Sequence, residues 1–175
     1  MYLTAITHAS ARDKEYHFRG LTPTGQEEST SAAWQVEAVA KDRSLPAFDN
    51  VVSSPKPRCL ETVILFAKAL GNDSIEASSV TIDPGLAAGN IEGGELAALA
   101  VQSDAAHLLI SGHADLAKTL PTGVSLATGA AEGGWFTVRP VLFQVEIQPG
   151  QRWDEATVHF CTALVDGHWQ NLLAT

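Results

Sequence analysis

The sequence alternates short apolar runs with longer amphipathic segments over its first two thirds. Residues 2–6, 50–53 and 107–110 have the length and apolar content of buried strands, and 75–82 reads as an edge strand. The longer segments between them have helical character. Strands that alternate with helices are typical of a mainly parallel sheet with helices on its faces.

Helix boundaries are marked by residues with specific capping roles. Thr22 is suited to cap a helix that has Pro23 at its first position and extends to about Lys41. A second helix is predicted to open at Ser54 and Pro55, to end at Gly71, and to carry one apolar face at Leu60, Val63, Ile64 and Ala67. Further helices are predicted over residues 95–101 and from 114–120.

The last third of the chain has a different pattern. Apolar and polar residues alternate at 136–138 and again at 141–147, on either side of Pro140. Asp166-Gly167 predicts a hairpin turn between strands at 157–165 and 168–173. We therefore expect one domain over residues 1–175, a three-layer α/β/α sandwich whose sheet is mainly parallel with an antiparallel edge.

Length and charge exclude several classes of protein. A chain of 175 residues with 45% hydrophobic residues is long enough to bury a core without disulfides. Its net charge of −9 argues against binding nucleic acid or anionic membrane over a broad surface. A small phosphorylated ligand remains possible, because one or two cations suffice locally. Cys59 and Cys161 show no metal-site spacing and are expected to be two buried thiols.

The first residues lack the basic start of a signal peptide, and Arg12, Asp13, Lys14 and Glu15 follow soon after. No apolar run approaches the ~18 residues that a membrane span needs. These features predict a soluble, cytoplasmic protein.

Three predicted strands end in residues that can handle phosphate. Thr7-His8 follows the first strand, a segment containing Arg58 follows the second, and Ser111-Gly112-His113 follows the third. Ligands of open α/β sheets bind beyond the carboxyl ends of the strands, where helix N-termini also attract anions. His8, Arg58 and His113 are therefore expected to meet at one site.

Four segments in order resemble the histidine phosphatase superfamily, the phosphoglycerate mutase-like fold, and most closely its short SixA-like phosphohistidine phosphatases. That family has a strand ending in Arg-His-Gly, a Leu-Thr-x-x-Gly helix start, a Ser-Pro-x-x-Arg-Ala-x-Gln-Thr segment and an apolar strand ending in Gly-His. The matching segments here are residues 2–9, 21–25, 54–62 and 108–113. The resemblance covers about residues 1 to 120.

The resemblance implies a metal-independent phosphohydrolase without a cofactor. His8 would attack phosphorus and form a phosphohistidine, while Arg58 and His113 would stabilise charge on the phosphoryl oxygens. Glu92 or Glu95 would supply a proton where the leaving group needs one. The expected partner is a phosphohistidine protein or a small phosphate-containing molecule.

The sequence departs from the family pattern at the nucleophile. Thr7 stands where the family has arginine, and Ala9 where it has glycine. Loss of one charge-assisted contact costs roughly 1.5–3 kcal/mol. Arg19, or else Arg12, is the candidate replacement, because both lie in the segment between His8 and the first helix.

Two other interpretations remain open. With Thr7 in place of arginine, the domain is a candidate for binding phosphorylated ligands without turnover. The segment Gly112–Thr119 is also one residue short of a P-loop, with Ala117 in place of the second glycine and Lys118 as its lysine. Four tryptophans are expected to be core or covering residues, namely Trp34, Trp135, Trp153 and Trp169.

Overall fold

The computed structural model describes residues 1–11, 20–40, 46–87, 91–121 and 140–173. Its seven-stranded sheet has the order β3-β2-β4-β1-β5-β6-β7. The strands are β1 (Tyr2–Thr7), β2 (Asn50–Ser53), β3 (Thr81–Ile82), β4 (His107–Gly112), β5 (Val141–Glu146), β6 (Thr157–Val165) and β7 (His168–Asn171).

Strands β3, β2, β4 and β1 are parallel, and β5, β6 and β7 add to β1 in antiparallel fashion. The predicted sheet, mainly parallel with an antiparallel edge, is confirmed. The hairpin turn is confirmed in detail: Asp166 and Gly167 both have positive φ, of 50° and 80°. A two-residue turn with φ positive at both positions matches the right-handed twist of the strands it joins.

In the described ranges, three α-helices cover the sheet: α1 (Pro23–Ala40), α2 (Pro57–Ala69) and α3 (Gly93–Ser103). The predicted cap of α1 is present, since the Thr22 hydroxyl accepts a hydrogen bond from the Gly25 N–H at 3.0 Å. The predicted start of α2 is wrong by two residues. Pro57 occupies the first turn and Lys56 precedes it, so the Ser54 hydroxyl remains available for other contacts.

Two further predictions require correction. Residues 75–82 form a strand only at β3, because a 3-10 turn occupies Ala77–Ser79. The segment Ala114–Thr119 is a 3-10 helix, not the start of an α-helix. The predicted strand at 136–138 lies outside the described residues.

Alternate residues of the strands enter two apolar layers. On one face Leu3, Leu108 and Phe143 pack with residues of α3, and on the other Ile6, Leu109 and Leu142 pack with residues of α1 and α2. Successive side chains of a strand point to opposite faces of the sheet. The sheet is therefore covered on both sides, as the three-layer prediction requires.

Both cysteines are buried and are not joined to another cysteine, as expected from their spacing. Burial raises the pKa of the Cys161 thiol to about 12. Among the tryptophans, Trp153 and Trp169 are partly buried covering residues, and Trp135 lies outside the described residues. Trp34 contradicts the expectation, because 60% of it is exposed. None of the described helices is long and apolar enough to cross a membrane.

Candidate active site

The carboxyl ends of β1, β4 and β2 meet at one edge of the sheet. Thr7 lies opposite Gly112, and Ser53 lies opposite Ser111. The ladder continues one residue further on β1, where the His8 N–H donates to the Gly112 carbonyl at 2.9 Å. Residues that follow these three strands therefore come together although they are far apart in the chain.

His8 and His113 lie side by side at this edge. Their ring centroids are 5.2 Å apart, with the ring planes at 78° to one another. His8 is 1% exposed and His113 is 4% exposed. The expected approach of the two imidazoles is thus observed.

The hydrogen bond of the His8 ring defines its tautomer. Nδ1 lies 2.8 Å from the carbonyl oxygen of Ala9. A carbonyl only accepts, so Nδ1 carries the proton and Nε2 holds the lone pair of the neutral ring. In this tautomer Nε2 is the ring atom of His8 that is able to act as a nucleophile.

His113 is held by polar side chains from the segment after β2. Its Nε2 lies 3.2 Å from the Ser54 hydroxyl and 3.7 Å from the thiol of Cys59. The same thiol is 3.4 Å from the Gly112 carbonyl, to which it donates. The sequence analysis treated Ser54 as a helix start and Cys59 as a buried thiol, and gave neither a role at this site. Their pattern offers no signal for one, because the contacts depend on the register of β2 against β4.

Arg58 is in the first turn of α2, where free N–H groups and the helix dipole attract anions. Its Nε is buried and has no hydrogen-bond partner among the described residues, and the same holds for the Ser111 hydroxyl. Buried polar atoms are satisfied in most proteins, and each exception calls for an explanation. An acceptor oxygen of a bound ligand at this edge is one explanation.

Thr62 connects Arg58 to the segment after His8. Its hydroxyl accepts from the Ala9 N–H at 3.1 Å and donates to the Arg58 carbonyl at 2.7 Å. One buried side chain thus joins the chain beside His8 to the first turn of α2. Thr62 belongs to the motif that carries the resemblance, but sequence reasoning did not give it this function.

Thr7 has a structural partner. Its hydroxyl accepts from the Val141 N–H at 2.7 Å, and the residue is 1% exposed. Thr7 therefore helps to join β1 to the start of β5. A neutral hydroxyl engaged in this way does not replace the cation that the family has at this position.

The other predicted site residues have different locations. Arg19 and Arg12 lie outside the described residues. Glu92 and Glu95 are exposed at the start of α3, where the Glu95 carboxylate accepts from the Glu92 N–H at 2.8 Å. Lys118, the lysine of the incomplete P-loop pattern, is exposed near the end of a 3-10 helix. Among the described residues, no three His, Cys, Asp or Glu side chains are grouped as a metal site requires.

Two glutamates hold the chain on either side of residues 12–19. The Glu28 carboxylate accepts from the N–H and the hydroxyl of Ser10 at 2.7 and 2.8 Å. The Glu61 carboxylate accepts from the Leu21 N–H at 2.6 Å. An isolated bridge pairs Ala11 with Leu21. The residues that flank this segment, Ser10 and Ala11 before it and Leu21 after it, are therefore held in fixed positions.

No protein-family model and no curated protein matches this sequence. Solved structures do match. The protein histidine phosphatase SixA in complex with tungstate superposes with a TM-score of 0.64 at 18% identity, covering 93% of this chain and 97% of the other. A protein from Agrobacterium tumefaciens proposed to be a phosphohistidine phosphatase SixA gives 0.60 at 19% identity, with the same coverage of 93% and 97%.

More distant phosphatases have the same architecture. The ecdysone phosphate phosphatase of the silkworm Bombyx mori, in complex with tungstate, gives a TM-score of 0.57 at 12% identity and covers 90% of this chain and 91% of its own. The chain thus has the phosphoglycerate mutase-like fold of the histidine phosphatase superfamily. The resemblance inferred from four short motifs is confirmed at the level of the fold.

Proposed function

We propose that this protein is a phosphohydrolase that acts through a phosphohistidine intermediate on His8. The observation that carries the proposal is the contact between the His8 and His113 rings at 5.2 Å, beside a helix start where the buried Nε of Arg58 has no partner among the residues that the structure describes. A nucleophile, a second imidazole and a cation at a helix N-terminus suit a tetrahedral oxyanion. The tungstate complexes of two structural relatives support this ligand class.

In the first step Nε2 of His8 attacks phosphorus in line with the leaving group. The N–P bond forms as the bond from phosphorus to the leaving atom breaks, and the leaving group takes a proton. The Ala9 carbonyl holds the proton on Nδ1, which keeps the lone pair on Nε2. Arg58, His113 and the first N–H groups of α2 stabilise the negative charge on the equatorial oxygens.

In the second step water attacks the phosphohistidine. The P–N bond breaks, inorganic phosphate leaves, and the water proton returns to the medium or to Nε2. Imidazole is a better leaving group than an alkoxide, so a phosphohistidine substrate needs less help from an acid in the first step. For a phosphate ester, Glu92 is the proposed proton donor, and Arg19 is the proposed second cation.

A second candidate function is binding of phosphorylated ligands without turnover. The observation that favours it is the Thr7 hydroxyl, which is engaged by the Val141 N–H where the family has arginine. Loss of that contact lowers the rate by one to two decades at about 1.4 kcal/mol per decade. In this alternative the domain still binds phosphate, through Arg58 and His113.

The experiment that separates the two functions traps the intermediate. The protein is incubated with a ³²P-labelled aryl phosphate, quenched in alkali, and examined for a label that is stable in alkali and lost in acid. We expect the label in the wild type and its loss in His8→Ala. The matched control is His168→Ala, which removes an exposed imidazole from β7 and should leave the label unchanged.

Three outcomes are informative. A label that persists in His8→Ala places the nucleophile elsewhere and overturns the mechanism. Vanadate binding without label or turnover identifies a phosphate-binding domain that has lost catalysis. Magnesium-dependent ATP binding that is lost in Lys118→Ala would instead support the P-loop interpretation.

A further inference from the structure

A cavity of about 1050 Å³ opens on the outer side of α1. Residues of α1, Leu65 of α2 and the turn between β6 and β7 line it. Three of its lining residues are acidic, Glu27, Glu28 and Asp166, and two are tryptophans, Trp34 and Trp169. The described lining contains no lysine or arginine. We call this cavity the α1 groove.

Trp34 is the feature of the α1 groove that most needs an explanation. It is 60% exposed although it is the largest side-chain type in proteins. Indole rings are enriched where proteins bind partners, because they provide a large rigid surface at little cost in conformational entropy. Trp169 is held in place, since its indole N–H donates to the Ser31 hydroxyl at 3.1 Å. The α1 groove thus combines one anchored and one exposed indole.

The α1 groove is connected to the candidate active site. Glu28, which lines it, holds Ser10 through two hydrogen bonds, and Ser10 is two residues after His8. Glu27, Ser31 and Trp34 have helical spacing of i, i+4 and i+7, which places them on one face of α1. From Glu27 to Trp34 the helix rises about 10 Å. The α1 groove is thus joined to the chain beside His8 through the bonds between Glu28 and Ser10.

We propose that the α1 groove docks a lysine- or arginine-containing segment of a phosphorylated protein substrate. The cationic side chains would lie against the carboxylates of Glu27 and Asp166 and over the indole of Trp34, where a cation–π contact forms. The assignment of a phosphorylated substrate rests on the proposed function, whereas the preference for a basic segment rests on the groove.

Charge complementarity favours this occupant over others. An acidic segment would be repelled by the carboxylates that line the α1 groove. A second copy of this chain has the same excess of acidic residues, with a net charge of −9. A basic segment contacts both the carboxylates and the indole of Trp34. Its affinity for the α1 groove should fall as added salt screens the charges.

The test compares two phosphohistidine peptides that differ only in three residues beside the phosphohistidine, lysine in one and glutamate in the other. Phosphoimidazole serves as a small substrate that does not reach the α1 groove. We expect the wild type to prefer the lysine peptide, and this preference to fall as salt is raised. Trp34→Ala and Glu27→Lys should each raise KM for the lysine peptide about three- to tenfold. Neither should change hydrolysis of phosphoimidazole.

Matched controls come from other exposed surfaces. Val101→Ala removes an apolar side chain that is 73% exposed on α3. Asp73→Lys makes the same charge change as Glu27→Lys at an exposed position beyond α2. Both controls should leave KM for the lysine peptide unchanged. Equal effects of Asp73→Lys and Glu27→Lys would indicate general electrostatic attraction and overturn the docking proposal.

The outcomes distinguish failure of docking from failure of the proposed function. If phosphoimidazole is hydrolysed but the two peptides react equally in wild type and variants, docking is wrong and the phosphohydrolase proposal stands. If no substrate is hydrolysed, binding of the unphosphorylated lysine peptide is measured by calorimetry. Binding weakened by Trp34→Ala supports docking, and no binding overturns it. Dimerisation that Trp34→Ala abolishes would assign the groove to a second copy and also overturn it.

Discussion

Two groups of buried histidines lie at opposite ends of neighbouring strands and have different surroundings. His107 is at the start of β4, with Nδ1 2.8 Å from the Pro46 carbonyl and Nε2 2.9 Å from the Thr4 hydroxyl. His8 and His113 lie beyond the ends of β1 and β4, against each other, and Cys59 in the first turn of α2 contacts the His113 ring. All three are nearly inaccessible, at 2%, 1% and 4% exposure.

The difference lies in what surrounds each ring. His107 packs against Phe48 and Tyr2, with ring centroids 4.4 and 5.8 Å away, and Thr4 is further fixed by the Gln144 amide at 3.0 Å. These partners are neutral and satisfied. In the segments that adjoin His8 and His113, the buried donors of Arg58 and Ser111 have no partner within the described part of the chain. Burial alone therefore does not distinguish His107 from the His8–His113 pair, whereas the hydrogen bonding of the polar groups around them differs.

The largest expected effect comes from exchanging each type of histidine for asparagine. His113→Asn should lower kcat/KM for an aryl phosphate by about 10²–10³, as for loss of one donor to a developing oxyanion. His107→Asn should leave kcat/KM unchanged and lower the free energy of unfolding by about 1–3 kcal/mol, because buried partners lose their hydrogen bonds. Steady-state kinetics and urea unfolding measure both quantities. Loss of activity in a folded His107→Asn protein would erase the distinction between the two groups.

Arg58→Gln tests the cation proposed to act beside His8 and His113. We expect kcat/KM and vanadate affinity to fall about 10- to 100-fold, because a charge-assisted contact of roughly 1.5–3 kcal/mol is lost. The free energy of unfolding should change by less than about 0.5 kcal/mol, since the buried Nε has no partner to lose among the described residues. Lys56→Gln removes the same charge from an exposed neighbour and serves as the control. Equal losses in both variants would point to general attraction of anions.

Thr62→Val tests the link between α2 and the segment after His8. The variant keeps the shape of the side chain but leaves the Ala9 N–H without its acceptor, at a cost of about 1–3 kcal/mol in the free energy of unfolding. We expect kcat to fall as well, because Arg58 and His8 lose their common support. Thr62→Ser retains the hydroxyl and should restore kcat. A destabilised Thr62→Val protein with unchanged kcat would show that the bond only stabilises the fold.

The smallest expected effect is the contribution of His107 to the pH dependence of the free energy of unfolding. Burial lowers the pKa of His107, an effect that the Pro46 carbonyl and Asp49 only partly oppose. Since the folded pKa lies below the unfolded value, the unfolded chain binds more protons there, and stability falls as pH decreases below about 6.5. His107→Asn should flatten this dependence below about pH 6.5 in urea titrations. An unchanged slope would mean that other groups cause the acid sensitivity.

Much of the fold is predictable from local sequence. β2 has the predicted bounds, and the hairpin at Asp166-Gly167 follows from two residues that tolerate positive φ. The start of α2 was misassigned because Ser54 and Pro55 have the composition of a helix start. In the folded chain the Ser54 hydroxyl lies beside His113, so a tertiary contact overrides the local signal.

The candidate site is only partly readable in the sequence. His8, Arg58 and His113 stand out because each follows a strand, but the ring contact depends on Thr7 lying opposite Gly112. The contacts of Ser54 and Thr62 likewise depend on how β2 and α2 pack beside β1 and β4. No residue pattern in the sequence indicates them. Trp34 was misjudged because its neighbours Ala32, Ala33 and Val36 are buried, whereas its own position on α1 faces outward.

The paired anchors around residues 12–19 have a consequence for engineering. Ser10 is held by Glu28 and Leu21 by Glu61, and Ala11 bridges to Leu21. The distance that any intervening segment must span is therefore set by the scaffold. Each doubling of such a segment adds only about 0.6 kcal/mol of closure entropy. This position is thus suited to transplanting longer specificity-determining inserts beside His8 without rebuilding the sheet.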